Sequence, residues 1–447
     1  MNENTLLKRF FEDGIEFDPD KQFGLSHKVR IRRIREIVLL MRKHHVMDGL
    51  SPTELRDILV DLGPSFIKIG QMLSLRSEIL PQAYCDALSD LQMDCDPMPF
   101  DETVAVLRGI YGDKFDAIFK EIDPKPLGSA SMAQVHRAVL TNGDEAAVKV
   151  QRPGVRTTMA QDIDVMRAVA KQASRFMKDN QMLNLRDVVE ELWVTFLEET
   201  DFLKEARNLE EFALLNKDVV YISCPKPYME YCTEEVLVME YVDGISIRDT
   251  KRLLENGYDL EEIGVKVMDN YATQIMEHGF FHADPHPGNI LVKDGKVIYI
   301  DLGIMGRLSV RDRGGFKRIV EAVGSKNSAE LKDALITFSV AHDMNAIDHP
   351  RFLAELDNVL ESYGSTDVAD IDIGALLGDI MVLTRQCKVT LPASVTAVSR
   401  GIITMEGSLQ DCLANANIVD IINGHLQRSK NLSLIHISEP TRLGMIS

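Results

Sequence analysis

Several things this sequence lacks narrow its function first. Its six cysteines, Cys85, Cys95, Cys224, Cys232, Cys387 and Cys412, are scattered and form no C-x-x-C pair. That spacing suggests neither a zinc site nor a disulfide framework, and a reducing compartment is the simplest setting. No apolar core follows the mixed acidic and basic residues of the N-terminus, so no secretory signal is read there. Apolar runs such as Ile37 to Met41 are far too short to span a bilayer, which takes about 20 residues. Positive charge is in deficit: 50 Lys and Arg against 69 Asp and Glu leave a formal net charge of −19. Such a field opposes general binding to nucleic acid, which relies on clustered cations at the phosphate backbone. There is also no internal repeat and no low-complexity linker.

The chain that remains has 447 residues and 45% hydrophobic content. That is enough for two or three folded units with real cores, and it fits a soluble, mostly helical, intracellular protein. Residues 1–27 carry no period and read as a flexible tail. At the other end, Leu432-Ser433-Leu434-Ile435-His436-Ile437-Ser438-Glu439-Pro440-Thr441-Arg442 resembles the translation of a sequencing-library adapter, with Leu443 to Ser447 trailing it. Residues 432–447 are therefore set aside from the fold, and the natural protein is expected to continue beyond about residue 431, with room there for a membrane anchor.

From Lys28 to about Tyr111 the pattern is helical. It holds a basic segment (Arg30, Arg32, Arg33, Arg35), a helix start at Ser51-Pro52-Thr53-Glu54, and a helix over Pro64 to Leu80. Between Leu127 and Val150 the period shortens to two around Asn142-Gly143, which predicts strand, hairpin and strand. Helix returns from Met159 to Leu215, a short strand runs from Val236 to Tyr241, and helix resumes after Gly244 as far as His282, then again after Leu308.

Three elements carry chemistry. The loop Gly128-Ser129-Ala130-Ser131-Met132-Ala133-Gln134-Val135 matches the kinase spacing G-x-G-x-x-G-x-V, with alanine at the second and third glycine positions. Small residues there let backbone N–H groups approach phosphates. An alanine at positive φ would cost roughly 1–2 kcal/mol, so the loop is expected to take another conformation than a glycine loop does. Next, Ala147-Val148-Lys149-Val150 places a lysine on the following strand, where a kinase lysine meets the α- and β-phosphates; taken alone, a solvated edge charge is the commoner reading. Its partner should be a helical glutamate, and spacing does not choose between Glu199 and Glu205. The third element is His282-Ala283-Asp284-Pro285-His286-Pro287-Gly288-Asn289, followed by a hairpin turning at Asp294-Gly295 and by Asp301-Leu302-Gly303. Asp284 and Asn289 stand five apart, as in H-R-D-x-x-x-x-N, so Asp284 would orient or deprotonate a nucleophile while Asn289 and Asp301 hold magnesium. A metal site from His278, His282 and His286 ranks low, because Pro285 and Pro287 forbid one regular helix from presenting all three.

Loop, lysine, glutamate, D-x-x-x-x-N and D-x-G in this order, with Lys68-Ile69-Gly70-Gln71 and Glu199-Thr200-Asp201, make the sequence resemble the UbiB (AarF, ADCK) family of atypical kinases over about residues 55–415. The first of those added motifs matches the family's KxGQ signature and the second its ExD signature. The resemblance implies an α+β, bilobal protein-kinase-like fold with a small strand-containing N-lobe, a helical C-lobe and a helical N-terminal extension. In residues these are 28–122 for the extension, 123–241 for the N-lobe with inserted helices and 242–431 for the C-lobe. It implies ATP or ADP with Mg2+, Glu199 as the partner of Lys149, and Lys68 and Gln71 brought to the active site. Glu240 and Val242 join Gly128, Ser129, Ala130 and Ser131 as candidates for nucleotide contact. An isoprenoid or quinone-precursor lipid, or a lipid-biosynthesis complex, is the expected partner, with a peripheral place at the cytoplasmic side of the cell membrane. A catalytically silent nucleotide-binding module of a membrane-associated complex is the alternative.

Gly128, where alanine is common in the family, and Leu302, where a D-F-G phenylalanine would sit, depart from the expected patterns. Two features argue against ordinary protein phosphorylation. Only Ile304 to Leu308 separate Gly303 from the next helix, with no A-P-E signature, so a docking loop for a peptide is not expected. About fifty residues separate Lys149 from Glu199, which predicts an inserted helical element around Gln151 to Met182.

Overall fold

The computed structural model describes residues 32–33, 35–37, 39–40, 43–44, 50–74, 80–89, 91, 97–173, 185–338, 347–364, 373–387, 389, 391–413, 421–422 and 424–428. The expected tail, the adapter-like residues 432–447 and Cys95 lie outside them. The fold is α+β, and the chain divides into two compact units. The first comprises Met1–Ala206 with Pro227–Tyr241, the second Arg207–Lys226 with Val242–Ser447.

In the first unit the expected helix start at Ser51-Pro52-Thr53-Glu54 is present. The Ser51 hydroxyl accepts from the Glu54 N–H at 3.3 Å, and the Glu54 carboxylate accepts from the Ser51 N–H at 2.9 Å. This reciprocal box, with Pro52 at the first helical position, satisfies N–H groups that have no intrahelical partner. It starts α1 (Pro52–Leu62), which stops at Gly63 with φ +100°; α2 (Pro64–Ser74) and α3 (Gln82–Ser89) follow. A Cβ on Gly70 would lie 2.4 Å from Leu91 Cδ1 and 2.8 Å from Leu59 Cδ1. Only a glycine lets α2 come so close to its neighbours, which gives the third position of Lys68-Ile69-Gly70-Gln71 a packing reason.

These helices share a core with α5 (Val155–Ala173) and α6 (Leu185–Glu199), built on Leu59, Phe66, Ile69, Leu88, Ile163 and Phe196. Each such side chain, fully buried, contributes about 1.5–3 kcal/mol. A second core joins α4 (Phe100–Tyr111) to a four-stranded antiparallel sheet through Leu107, Phe119, Leu140, Val148 and Val238. The strands are β1 (Phe119–Ser129), β2 (Ala133–Leu140), β3 (Glu145–Gln151) and β5 (Val236–Glu240), in the order β1-β2-β3-β5. The hairpin turns at Asn142-Gly143 as expected, with Gly143 at φ +93°. The sheet starts at Phe119, upstream of the expected Leu127. The register of β1 on β2 slips three times, which blurs the alternation that the sequence reading relied on. The expected inserted helix is α5. The long helical stretch to Leu215 breaks at Thr200-Asp201, after which α7 (Phe202–Leu215) begins.

In the second unit, β4 (Ile222–Ser223), β6 (Ile245–Ser246), β8 (Ile290–Lys293) and β9 (Lys296–Tyr299) form a sheet in the order β4-β9-β8-β6. Asp294 at φ +51° and Gly295 at φ +73° close the predicted two-residue hairpin turn. The stretch from Gly244 to His282, read as wholly helical, instead contains β6, α8 (Thr250–Glu255), α9 (Leu260–Thr273), a π turn over Gln274–His278 and β7 (Phe280–His282). β7 pairs with β10 (Met305–Arg307). Among the described residues there follow α10 (Val310–Gly324), α11 (Ser328–Phe338), α12 (His349–Gly364), α13 (Ile373–Gln386) and α14 (Ala393–Leu409), then helical residues at 421–422 and 424–428. Among the described residues no helix is long and apolar enough to cross a membrane.

Asp269, on α9, ties the last described helical residues to the unit. Its carboxylate accepts from Tyr221 Oη at 3.0 Å and pairs with His425 Nδ1 at 3.1 Å and with Arg428. Burial opposes ionisation, but these partners outweigh it and hold the Asp269 carboxyl down to about 2. A depressed carboxylate contributes stability that is full above its unfolded value near 4 and is lost as pH falls toward 2. For this half-buried group the contribution is about 1–2 kcal/mol. Asp269→Asn should therefore lower the melting temperature at pH 7 and flatten the acid limb of stability between pH 4 and 2, as followed by circular dichroism.

Candidate functional site

Lys149 lies on β3, between β2 and β5, opposite Val135 and Leu237. Its ammonium donates to both carboxylate oxygens of Glu205, at 3.1 and 2.8 Å, and sits 5.2 Å from the Phe202 ring centroid. Glu205 is almost fully buried and Lys149 largely so, which makes this a pair in low dielectric where geometry matters. The assignment of Glu199 as the partner of Lys149 is therefore corrected to Glu205. Glu199 ends α6, and its carboxylate meets the Lys68 ammonium of α2 at 2.5 Å. The helix break at Thr200-Asp201 separates the two glutamates, and it is anchored: Gln151 and Arg156 both donate to the Thr200 carbonyl, at 3.1 and 3.0 Å. Lys68 is thus spoken for by the first acid of Glu199-Thr200-Asp201. Gln71, expected at the cofactor, donates from its amide to the Leu91 carbonyl at 2.7 Å and fastens α2 to the chain after α3.

Gly128 and Ser129 end β1, and the turn through Ala130 and Ser131 closes with the Ala130 N–H donating to Ala133 O at 2.8 Å. No residue of this loop has a positive φ, which is the departure from a glycine loop that its alanines demand. Gly128 has open space where a Cβ would stand, so this position tolerates the alanine common in the family. Arg152 shapes the loop from outside. It donates from Nε to the Ala130 carbonyl at 2.8 Å and from Nη2 to Ser129 Oγ at 2.7 Å. Inside, Gln134 and His136 are buried; Gln134 accepts from the Met98 N–H at 2.7 Å and contacts His136 Nε2 at 2.8 Å. Glu240 closes β5, exposed and opposite Ala146; Val242 opens the second unit's main segment.

In the second unit a buried amide relay builds the D-x-x-x-x-N segment. Asn270 donates to Asn216 Oδ1 at 2.7 Å, Gln274 donates to Asn270 Oδ1 at 2.8 Å, and the His282 N–H donates to Gln274 Oε1 at 3.0 Å. Tyr271 Oη donates to the His282 carbonyl at 2.9 Å. A network with these partners fixes one backbone conformation. His282 Nδ1 then accepts from the Asp284 N–H at 3.3 Å, which leaves Nε2 protonated and buried without a hydrogen-bond partner. Burial lowers the His282 pKa against the pull of Asp301 and Asp284, so the ring is neutral at pH 7. The three histidines have separate roles: burial lowers His278 in the π turn, and His286 Nδ1 accepts from the Gly288 N–H at 3.1 Å.

Asn289 and Asp301 are brought toward each other by the hairpin, where the Ile300 N–H donates to the Asn289 carbonyl at 2.9 Å. Asp301 Oδ1 accepts from the Gly303 N–H at 3.0 Å, and Asn208 donates to the Leu302 carbonyl at 2.8 Å. Leu302 is fully buried where a D-F-G phenylalanine would sit. An amide oxygen and a carboxylate are hard donors that suit Mg2+, which keeps several waters and needs only one or two protein carboxylates. Among the described residues no group of three or more His, Cys, Asp or Glu side chains is placed to hold a metal ion. Gly401 of α14 closes the back of the segment: a Cβ there would stand 1.9 Å from Tyr271 Oη and 3.4 Å from the His282 carbonyl.

Arg152, Asn208, Tyr271, Gln274 and Gly401 were not anticipated from sequence. Each acts on a backbone group or by close approach, and no spacing rule marks such contacts.

A four-stranded sheet bearing a paired lysine, with a D-x-x-x-x-N segment and a D-x-G turn, defines a protein-kinase-like chain. More narrowly, residues 90–335 match the ABC1 atypical kinase-like domain, and the chain belongs to that family, which includes the UbiB and AarF proteins. It is 32% identical over 384 residues to a Clostridium pasteurianum protein encoded in the hydrogenase 1 5′ region, covering 86% of this chain and 72% of that one. To the probable protein kinase UbiB of Azotobacter vinelandii it is 32% identical over 358 residues, 79% of this chain and 66% of the relative. The solved complex of Mycobacterium tuberculosis Rv3197 with erythromycin shares the fold, with a TM-score of 0.55 at 22% identity over 80% of this chain and 90% of that one.

Proposed function

We propose that this chain binds Mg2+ and ATP or ADP and is a phosphotransferase or ATPase serving isoprenoid-quinone lipid metabolism at a membrane surface. The observation that carries the nucleotide reading is the Lys149–Glu205 pair at 2.8 Å on β3 and α7. It is the arrangement with which kinase folds hold the α- and β-phosphates. In the first unit Lys149 and the loop after Gly128 would take phosphate charge. In the second, Asn289 and Asp301 would hold Mg2+, which when bound neutralises charge on the phosphates. Asp284, on a segment fixed through His282, would orient the attacking hydroxyl or water and accept its proton. The short step from Gly303 to α10, occupied by β10, supports a small acceptor over a peptide. The lipid assignment and the peripheral place at the cytoplasmic face rest on the family, one of whose members carries the UbiB name.

A fluorescent ATP analogue titrated with and without Mg2+ tests the metal assignment. Mg2+ should tighten binding about tenfold or more in the wild-type protein and less than about twofold in Asp301→Asn, since the substitution removes the anionic ligand. Equal dependence on Mg2+ in both proteins would take the metal away from Asp301.

A further inference from the structure

A cavity of about 290 Å³ lies wholly within the first unit, and neither Lys149 nor Glu205 lines it. Its apolar lining is Met132 and Val155, both half-buried, with the more deeply buried Met98 and Met159 behind them, each at most 5% exposed. Methionines are adaptable, and such a lining accepts apolar bodies of varied shape. Lys68 and Arg152 also line the cavity. Both are donor-only side chains that suit carboxylate or phosphate oxygens. Glu102 is the acidic residue of the lining, and it is exposed, where water screens its charge. Lys68 already shows the head group it takes, since a carboxylate, that of Glu199, sits 2.5 Å from its ammonium. The volume lies at the small end of ligand pockets, roughly 300–1,000 Å³, and sets a short apolar body.

From these features we infer that the cavity is a binding site for a small amphipathic anion. Its carboxylate or phosphate head meets Lys68 and Arg152, and its apolar body lies on Met132 and Val155. The site goes beyond the nucleotide reading and stands without it. The ligand's head takes up Lys68 donors now turned to Glu199, and its body displaces water from the Met132 and Val155 surface.

The protein supplies its own reporter. Trp193 is the sole tryptophan, and its ring stacks on Phe196, at the cavity, with centroids 5.8 Å apart and planes 16° from parallel. The test is a titration of metal- and nucleotide-free protein with decanoate, followed by Trp193 emission. Decyl phosphate separates the two head groups, and decanol is the neutral control. Saturable one-site binding is expected, weaker by about tenfold or more for decanol and in Lys68→Gln, and retained in Lys68→Arg. A signal that rises without saturating, or decanol binding as tightly as decanoate, would overturn the proposal. So would undiminished affinity in a folded Lys68→Gln. Should that variant fail to fold, the decanoate and decanol comparison on the wild-type protein decides alone.

Discussion

Replacing Asp284 with asparagine should lower phosphate release from Mg2+ and ATP by about 100-fold to 10,000-fold, the range spanned by general acid–base groups. Nucleotide affinity should change little. The expectation rests on how the residue is held. The Asp284 N–H donates to His282 Nδ1 at 3.3 Å, and the Asp284 carbonyl accepts from the His286 N–H at 2.7 Å. Both bonds are backbone bonds of Asp284 and survive the substitution. His282 is itself fixed by Gln274 and Tyr271. The variant thus removes one proton acceptor and leaves the segment in place, so any loss belongs to chemistry. Release within threefold of wild type would remove Asp284 from the catalytic role. The melting temperature, unchanged to within a few degrees, guards against a folding explanation.

The second large effect separates two glutamates that the sequence leaves equivalent. Glu205→Gln removes the Glu205 carboxylate from beside Lys149 in a site where Lys149 is only 17% exposed and Glu205 only 4%. Breaking a largely buried pair costs about 3 kcal/mol. The released lysine would also lose the orientation that phosphate binding needs. Affinity for ATP should fall roughly tenfold to 100-fold, the equivalent of about 1.4–2.8 kcal/mol. Glu199→Gln should loosen Lys68 and α2 while leaving ATP affinity within about threefold, because Glu199 pairs with Lys68 and not with Lys149. Isothermal titration of both variants gives the ranking. A larger loss in Glu199→Gln than in Glu205→Gln would restore the assignment that the family resemblance favoured.

That correction shows where the sequence was legible. The helix start at Ser51 to Glu54, the hairpin turns at Gly143 and Gly295 and the strand position of Lys149 follow from local chemistry, and each stands as expected. The loop without positive φ followed from the cost of placing alanine there, a local argument too. What local rules do not carry is which helix turn faces the lysine. Glu199 and Glu205 lie on either side of a helix break, and the break is set by Gln151 and Arg156 reaching the Thr200 carbonyl from far along the chain. Gln71 has a contact that its motif does not spell out. Its amide nitrogen holds the Leu91 carbonyl and its neighbour Gly70 admits Leu59 and Leu91, long-range contacts that no local spacing marks. The strands β6, β7 and β10 are two or three residues long, too short for any period to register.

Phosphate release by the purified protein, measured with ATP in Mg2+ and again with the metal chelated, tests the central claim most directly. The account predicts slow but sustained release that requires Mg2+, is lost in Asp284→Asn and rises when isoprenoid-precursor lipid is supplied. Tight, Mg2+-dependent nucleotide binding with no release above the Asp284→Asn level, with or without lipid, would contradict it and leave a catalytically silent nucleotide-binding module.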